Sequence, residues 1–211
     1  MTMIFIIDDD PANIQVLTDI LKPDYEVFFA RSGEKALFRL ADGLAPDMIL
    51  LDVKMPEMDG YEVCRRIRQT PGTADIPIIF ITALDAAENE TRGLQLGAAD
   101  YITRPFNPEI VRARVRNHLA LAEARNESES RYRALFTNTA DGVMICDFDG
   151  RIREANAVMT SQTGYGREEL LQMTFADTCD PAEAGKVDQR FKLIRKTGYG
   201  AFETEQIGKD G

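Results

Sequence analysis

Hydrophobic residues in the first half of the chain follow two alternating rhythms. Unbroken apolar runs fill residues 3–7, 48–51 and 76–81, aromatic and β-branched residues fill 25–29, and a shorter apolar pair stands at Tyr101 and Ile102. Runs of this length predict strands, and apolar character at every position predicts strands covered on both faces. Between them apolar residues recur at helical spacing, as in Ile14, Leu17 and Leu21 or Val63, Cys64 and Ile67. Pro11 suits a first helical turn, Ser32 opens a second helix and Asp59 caps a third. Further helices are expected over 85–96 and after Pro108. Five strand–helix alternations predict an α/β domain built on a doubly wound, five-stranded parallel sheet.

From residue 107 to about 130 the pattern is polar and helical, and no Pro or Gly interrupts residues 109–141. One continuous helix is expected from about Pro108 to about Arg133, linking a first domain (1–122) to a second (131–211). Val111, Val115 and Ala122 fit a seam along it that His118 and Arg125 interrupt, and its length favours side-by-side pairing of two copies. The second domain reads as α+β. Strands are expected at 142–147 and 151–155 around an Asp149-Gly150 turn, and a third at 200–207. Short helical pieces are expected at 156–162 and 168–171, and a longer helix carries Val187, Phe191 and Ile194 on one face.

The 211 residues suffice for two small domains. Acidic residues number 35 against 25 basic ones, for a net charge of −10, which argues against nucleic acid as a partner. No apolar run approaches the ~18 residues of a membrane span. The start, Met1-Thr2-Met3-Ile4, has no basic stretch and does not read as a signal peptide. Three cysteines (Cys64, Cys146, Cys179) without metal-ligand spacing predict reduced, buried thiols and a cytoplasmic location.

The chemistry concentrates at strand ends. Asp8, Asp9, Asp52 and Thr82 all fall at the carboxyl ends of expected strands, where open α/β sheets bind ligands. Carboxylates ~4 Å apart repel by roughly 4 kcal/mol at an effective dielectric of 20, so the cluster calls for a cation. Oxygen donors suit a hard ion such as Mg²⁺, which keeps some water and binds one or two carboxylates plus a phosphate.

These residues carry a resemblance. Ile7-Asp8-Asp9, Leu51-Asp52-Val53 with Met55-Pro56-Glu57-Met58-Asp59-Gly60, Ile81-Thr82-Ala83 and Arg104-Pro105-Phe106 together resemble the receiver domain of bacterial response regulators over residues 1 to about 122. The resemblance implies a flavodoxin-like fold. It implies that Asp52 accepts a phosphoryl group from a phosphohistidine on a sensor histidine kinase or phosphotransfer protein. Mg²⁺ would be held by Asp9, Asp52 and the backbone carbonyl of Lys54, and by Asp8 through water. Thr82 would bond a phosphoryl oxygen, Tyr101 would be the switch aromatic, and the Arg104–Pro105 bond would be cis. The sequence departs from the family at Arg104, where Lys is usual; a planar fork and a point charge are not interchangeable. The alternative reading is therefore a pseudo-receiver, an interaction module that is not phosphorylated. Arg112 and Arg116, one turn apart, either meet Asp100 of a second copy or are solvated.

Tyr132-Arg133-Ala134-Leu135-Phe136, Asp141-Gly142-Val143, Asp147-Phe148-Asp149-Gly150, Asn156-Ala157 and Thr163-Gly164-Tyr165 with Glu168-Glu169-Leu170 resemble the front of a PAS domain. Two of the family's five strands are then missing, so the PAS domain is expected to be incomplete, with an output domain absent. His118, the sole histidine, lies in the linker helix, which excludes a His-ligated haem in the PAS domain. Met144, Met159, Met173 and Phe175 either fill the domain's interior or line a small-ligand pocket. The sequence after His118, Leu119-Ala120-Leu121-Ala122, is not that of a kinase phosphoacceptor. A haloacid-dehalogenase-type enzyme would need an Asp two residues after Asp52, where Lys54 stands. The chain is read as a homodimeric signalling module, not an enzyme, beyond its own phosphorylation and dephosphorylation.

Overall fold

The computed structural model describes residues 1–83 and 96–209, so the helix expected over 85–96 falls almost wholly outside the described residues. Two compact units emerge, Met1–Asn126 and Glu127–Gly211. In the first, β1 (Met3–Ile7), β2 (Glu26–Ala30), β3 (Met48–Asp52), β4 (Ile78–Ala83) and β5 (Asp100–Arg104) form a parallel sheet in the order β2-β1-β3-β4-β5. Helices α1 (Pro11–Leu21), α2 (Gly33–Ala41), α3 (Gly60–Gln69) and α4 (Pro108–Asn138) accompany it.

Side-chain alternation along each strand sorts the apolar runs into two cores. Phe5, Ile7, Ile49 and Leu51 pack with Ala36 and Leu40 of α2 and Val63, Cys64 and Ile67 of α3. Ile4, Ile6, Met48 and Leu50 pack on the other face with Ile14, Leu17 and Leu21 of α1 and Val111 and Val115 of α4. All of these are buried, and each fully buried Leu, Ile or Phe is worth roughly 1.5–3 kcal/mol. The expected starts at Ser32 and Asp59 are capped, Ser32 accepting from the Lys35 N–H (3.3 Å) and Asp59 from Glu62 (2.8 Å), and Asp10, which was not expected, caps α1 by accepting from Ala12 (2.8 Å).

Strand boundaries move, and the hairpin strands of the second unit are shorter than expected. The run at 76–81 begins pairing only at Ile78, because the Ile76 N–H turns back to the Thr73 carbonyl (3.2 Å) and Pro77 has no N–H. β2 lies one residue later than expected, in register with β1 from Met3↔Glu26 to Ile7↔Ala30. The linker helix is longer than expected, running 31 residues to Asn138. Its seam is also corrected. Val111 and Val115 are not held for another chain; they are buried in the first unit's own core.

The second unit is built on a hairpin of β6 (Met144–Cys146) and β7 (Ile152–Ala155). Asp147 fixes its turn by accepting from the N–H groups of Asp149 (2.9 Å) and Arg151 (3.0 Å), and Gly150 supplies the left-handed φ of 78°. Then come α5 (Ala157–Thr163), α6 (Arg167–Leu170), a 3₁₀ turn (Phe175–Thr178) and α7 (Pro181–Thr197). Ile152, Ala155, Met159 and Leu170 form the core, with Met144 and Met173 packed on it. Phe175 instead lies beside Phe191, ring centroids 6.1 Å apart.

The strand expected at 200–207 does not form. Its backbone meets only a short stretch after the 3₁₀ turn, through Asp180 N–H to the Glu205 carbonyl and Ile207 N–H to the Thr178 carbonyl (both 3.0 Å). A partner that short, flanked by a 3₁₀ turn and by Pro181, supports a bridge but not a ladder.

Buried Asn156 spends all four of its hydrogen-bonding positions. Its carbonyl accepts from Val143 and Met159 N–H (both 2.9 Å), and its amide donates to the carbonyls of Phe136 (3.0 Å) and Asp141 (2.9 Å). One side chain thus caps α5, anchors the approach to β6 and satisfies a carbonyl in the last turn of α4.

Two substitutions test this account. A Cβ at Gly60 would collide with the Asp52 carbonyl oxygen and lie 3.0 Å from the Val53 Cα. Gly60→Ala is expected to lower stability by about 1–3 kcal/mol in urea unfolding. Asn156→Ala strands buried donors and acceptors, at a cost of roughly 2–5 kcal/mol. In NMR spectra it should disperse poorly around Ile152 and Met159 while Ile4 and Leu50 keep native shifts.

Candidate functional site

The register Ile7↔Leu51, Asp52↔Ile81 and Ala83↔Arg104 brings the carboxyl ends of β1, β3, β4 and β5 to one edge of the sheet. There Asp8, Asp9 and Asp52 each present an oxygen within 4.8 Å of the others. Asp8 and Asp52 are buried and Asp9 half-buried. Asp8 is held by the Asp10 N–H (2.8 Å) and by Asn13, whose amide reaches both carboxylate oxygens at 3.3 and 3.0 Å. Asn13 was not among the expected residues. Its place in the first turn of α1, facing a strand-end carboxylate, is the signal that would have found it.

Arg104 closes the site from β5, its Nη2 3.1 Å from Asp52 Oδ1. Thr82, buried at the end of β4, stands one residue beyond the partner of Asp52 in the ladder. The loop after β3 is drawn in by Gly60 N–H to the Val53 carbonyl (3.0 Å). The Arg104–Pro105 peptide is cis, as expected. Tyr101 is not brought to the cluster. It lies lower on β5, opposite Phe80 and half-buried, with the Arg114 guanidinium 5.2 Å from its ring centroid.

Asp100, one of the two partners considered for Arg112 and Arg116, is paired within its own chain. Its carboxylate is taken by Arg114 and by His118 Nε2 (3.1 Å) of its own chain, and Arg112 donates to the Ile20 carbonyl (3.0 Å). Burial alone would raise the Asp100 pKa, but the Tyr101 N–H, His118 and Arg114 bring it below the usual carboxylate range. Of the thiols, Cys64 and Cys179 are buried as expected, whereas Cys146 is half-buried. Burial and the adjacent Asp147 push the Cys146 thiol up to about 11, which leaves it unreactive near neutrality.

Electrostatically the cluster is short of positive charge. Burial, then the neighbouring Asp8, raise Asp52 to about 7, with Arg104 only partly opposing them. Burial also raises Asp8. Three converging carboxylates short of cationic charge, with oxygen donors only, fit a hard divalent ion such as Mg²⁺.

The sequence matches the response regulator receiver domain over residues 4–116, more than half of the chain. The chain belongs to the response regulator receiver family. The receiver is followed by a PAS fold, matched over residues 130–201. The receiver's acidic cluster is consistent with a phosphoacceptor site, and the two domains place the chain in two-component signalling, in which receivers pair with histidine kinases. A crystal structure of a response regulator from Chloroflexus aurantiacus is 39% identical and superimposes with a TM-score of 0.54, covering 56% of this chain and 98% of that one. The response regulator PleD of Caulobacter vibrioides is 44% identical over 115 residues, 54% of this chain and 25% of its own length. The sensor histidine kinase TmoS of Ectopseudomonas mendocina aligns with 96% of this chain at 26% identity, over 24% of its own length. The chain thus spans about a quarter of the length of the first curated relatives it matches. No helix among the described residues is long and apolar enough to cross a membrane.

The raised Asp52 pKa carries a sign. The unfolded chain loses this proton near 3.8 and the folded receiver near 7, so the folded state binds more protons between those values. Stability from this group is full below the lower value and is lost as pH rises through the upper one. In EDTA, Asp52→Asn is expected to stabilise the protein at pH 8 by on the order of 1–3 kcal/mol. The gain should shrink towards pH 5 in thermal melts at the two pH values.

Proposed function

We propose that this protein is a phosphorylation-controlled regulator in which Asp52 takes a phosphoryl group from a phosphohistidine of a sensor histidine kinase or phosphotransfer protein. The carrying observation is the convergence of Asp52 with Asp8 and Asp9 at a strand-end crevice bordered by Thr82 and Arg104. An Asp52 oxygen attacks phosphorus, the P–N bond breaks, and the imidazole leaves with the bonding pair and takes up a proton. Little covalent help is needed; positioning and neutralisation of three equatorial oxygens are. Asp9, Asp52 and the Lys54 carbonyl, with Asp8 through water, would hold Mg²⁺, which supplies positive charge to those oxygens. Thr82 donates its hydroxyl to one of them, and Arg104 turns from Asp52 to another. Tyr101 follows Thr82 as the switch aromatic. The signal passes along α4 to the PAS domain, and the greater length of the relatives supports an output domain outside these 211 residues.

The standing Arg104–Asp52 pair favours one second reading, the pseudo-receiver, in which Arg104 occupies the carboxylate permanently. Incubation with acetyl phosphate and Mg²⁺, read by intact mass, separates the two. The proposal expects one added phosphoryl group on the wild type and none on Asp52→Asn. An unlabelled wild type beside a labelled Arg104→Lys variant would establish the second reading.

A further inference from the structure

Asn13 is a costly choice for the third residue of α1. Asn is a poor helix former, because its side chain competes for backbone groups, and its customary place at a helix start is the cap. Here the cap is Asp10, which accepts from the Ala12 N–H (2.8 Å). The Asn13 side chain reaches instead to Asp8. Its amide nitrogen straddles the carboxylate, 3.3 Å from Oδ1 and 3.0 Å from Oδ2. Oδ1 also accepts from the Asp10 N–H (2.8 Å), whereas Oδ2 has no other donor among the described residues. Asp8 is fully buried, and a buried carboxylate is costly unless it is hydrogen-bonded. Contacts to both oxygens also fix the rotation of the carboxylate plane. Ile14 and Leu17, buried on the sheet with Ile4 and Ile6, hold α1 in place, so the donor stands on a rigid element.

The chemistry of the donor matters as much as its position. A lysine or arginine holding Asp8 would bring a charge that repels a cation arriving beside Asp8, Asp9 and Asp52. A neutral amide orients the carboxylate and leaves its full charge to attract the ion. We propose that Asn13 is a positioning residue for the divalent ion, fixing the Asp8 carboxylate towards the crevice it shares with Asp9 and Asp52. Asn13 acts only through Asp8, and the inference rests on the metal-assisted reading of this cluster. Side chains that hold a metal's ligands in this way typically change its affinity by about 10–100-fold when removed.

The test measures Mn²⁺ affinity of the full chain without phosphodonor, from the free-ion signal in electron paramagnetic resonance. Asn13→Leu keeps the side chain's size, removes the donor and, as the better helix former, does not weaken α1. It should raise the dissociation constant roughly 10-fold or more while the circular dichroism is kept. Asn13→Ala, smaller and equally without a donor, should lose as much, and Asn13→Gln, which returns the donor, should recover most of the loss. Wild-type affinity in the Leu and Ala variants, an equal loss in the Gln variant, or a wild type that does not bind Mn²⁺ would overturn the proposal. Labelling by acetyl phosphate, read by mass on the same samples, keeps the two readings apart. Asn13-dependent Mn²⁺ binding without labelling overturns phosphoryl transfer alone. Labelling with an Mn²⁺ affinity indifferent to Asn13 overturns the positioning role alone.

Discussion

Parallel register is the constraint from which the receiver's chemistry follows. Five strands running the same way, with the inner β1, β3 and β4 covered on both faces, must end at one edge, and that edge must hold whatever polar residues close the strands. Here those residues are three aspartates, a threonine and an arginine. The core on either side fixes the strands tightly enough that like charges are held together against their repulsion. A less rigid scaffold would let the carboxylates move apart. Burial first, and then the confinement beside Asp8, raise the proton affinity of Asp52.

Arg104 changes the balance at this edge. The family's usual lysine would offer a compact charge on a flexible stem, whereas Arg104 offers a fork, one nitrogen of which already engages Asp52. The crevice therefore has an internal counter-charge.

Much of the receiver was legible in sequence because its signals are local and mutually consistent. Apolar runs named the strands, capping residues named the helix starts, and strand-end carboxylates named the site. What escaped depended on partners distant in sequence. Val111 and Val115 looked like an intermolecular seam because periodicity gives a face but not what covers it; burial against β1, β3 and α1 decided that. Asp100 looked free to bind outward because nothing local announces that Arg114 and His118 fold back onto it. In the second unit, residues 200–207 carried a strand pattern, but strands exist only by pairing, and the available neighbour is two residues long. Asn156 matters through a set of four hydrogen bonds that no spacing rule exposes.

The middle of α4 carries a consequence of a different kind. From Glu123 to Arg131 every residue is exposed, so no tertiary burial supports these turns and their helicity rests on residue propensity and on side-chain pairs worth a few tenths of a kcal/mol each. Such turns open locally at small cost, and their amide protons exchange with solvent long before those of the strands. A protease meeting the chain would find its easiest cut there, in a segment regular in structure yet poorly defended, and salt that screens the ion pairs would hasten the cut.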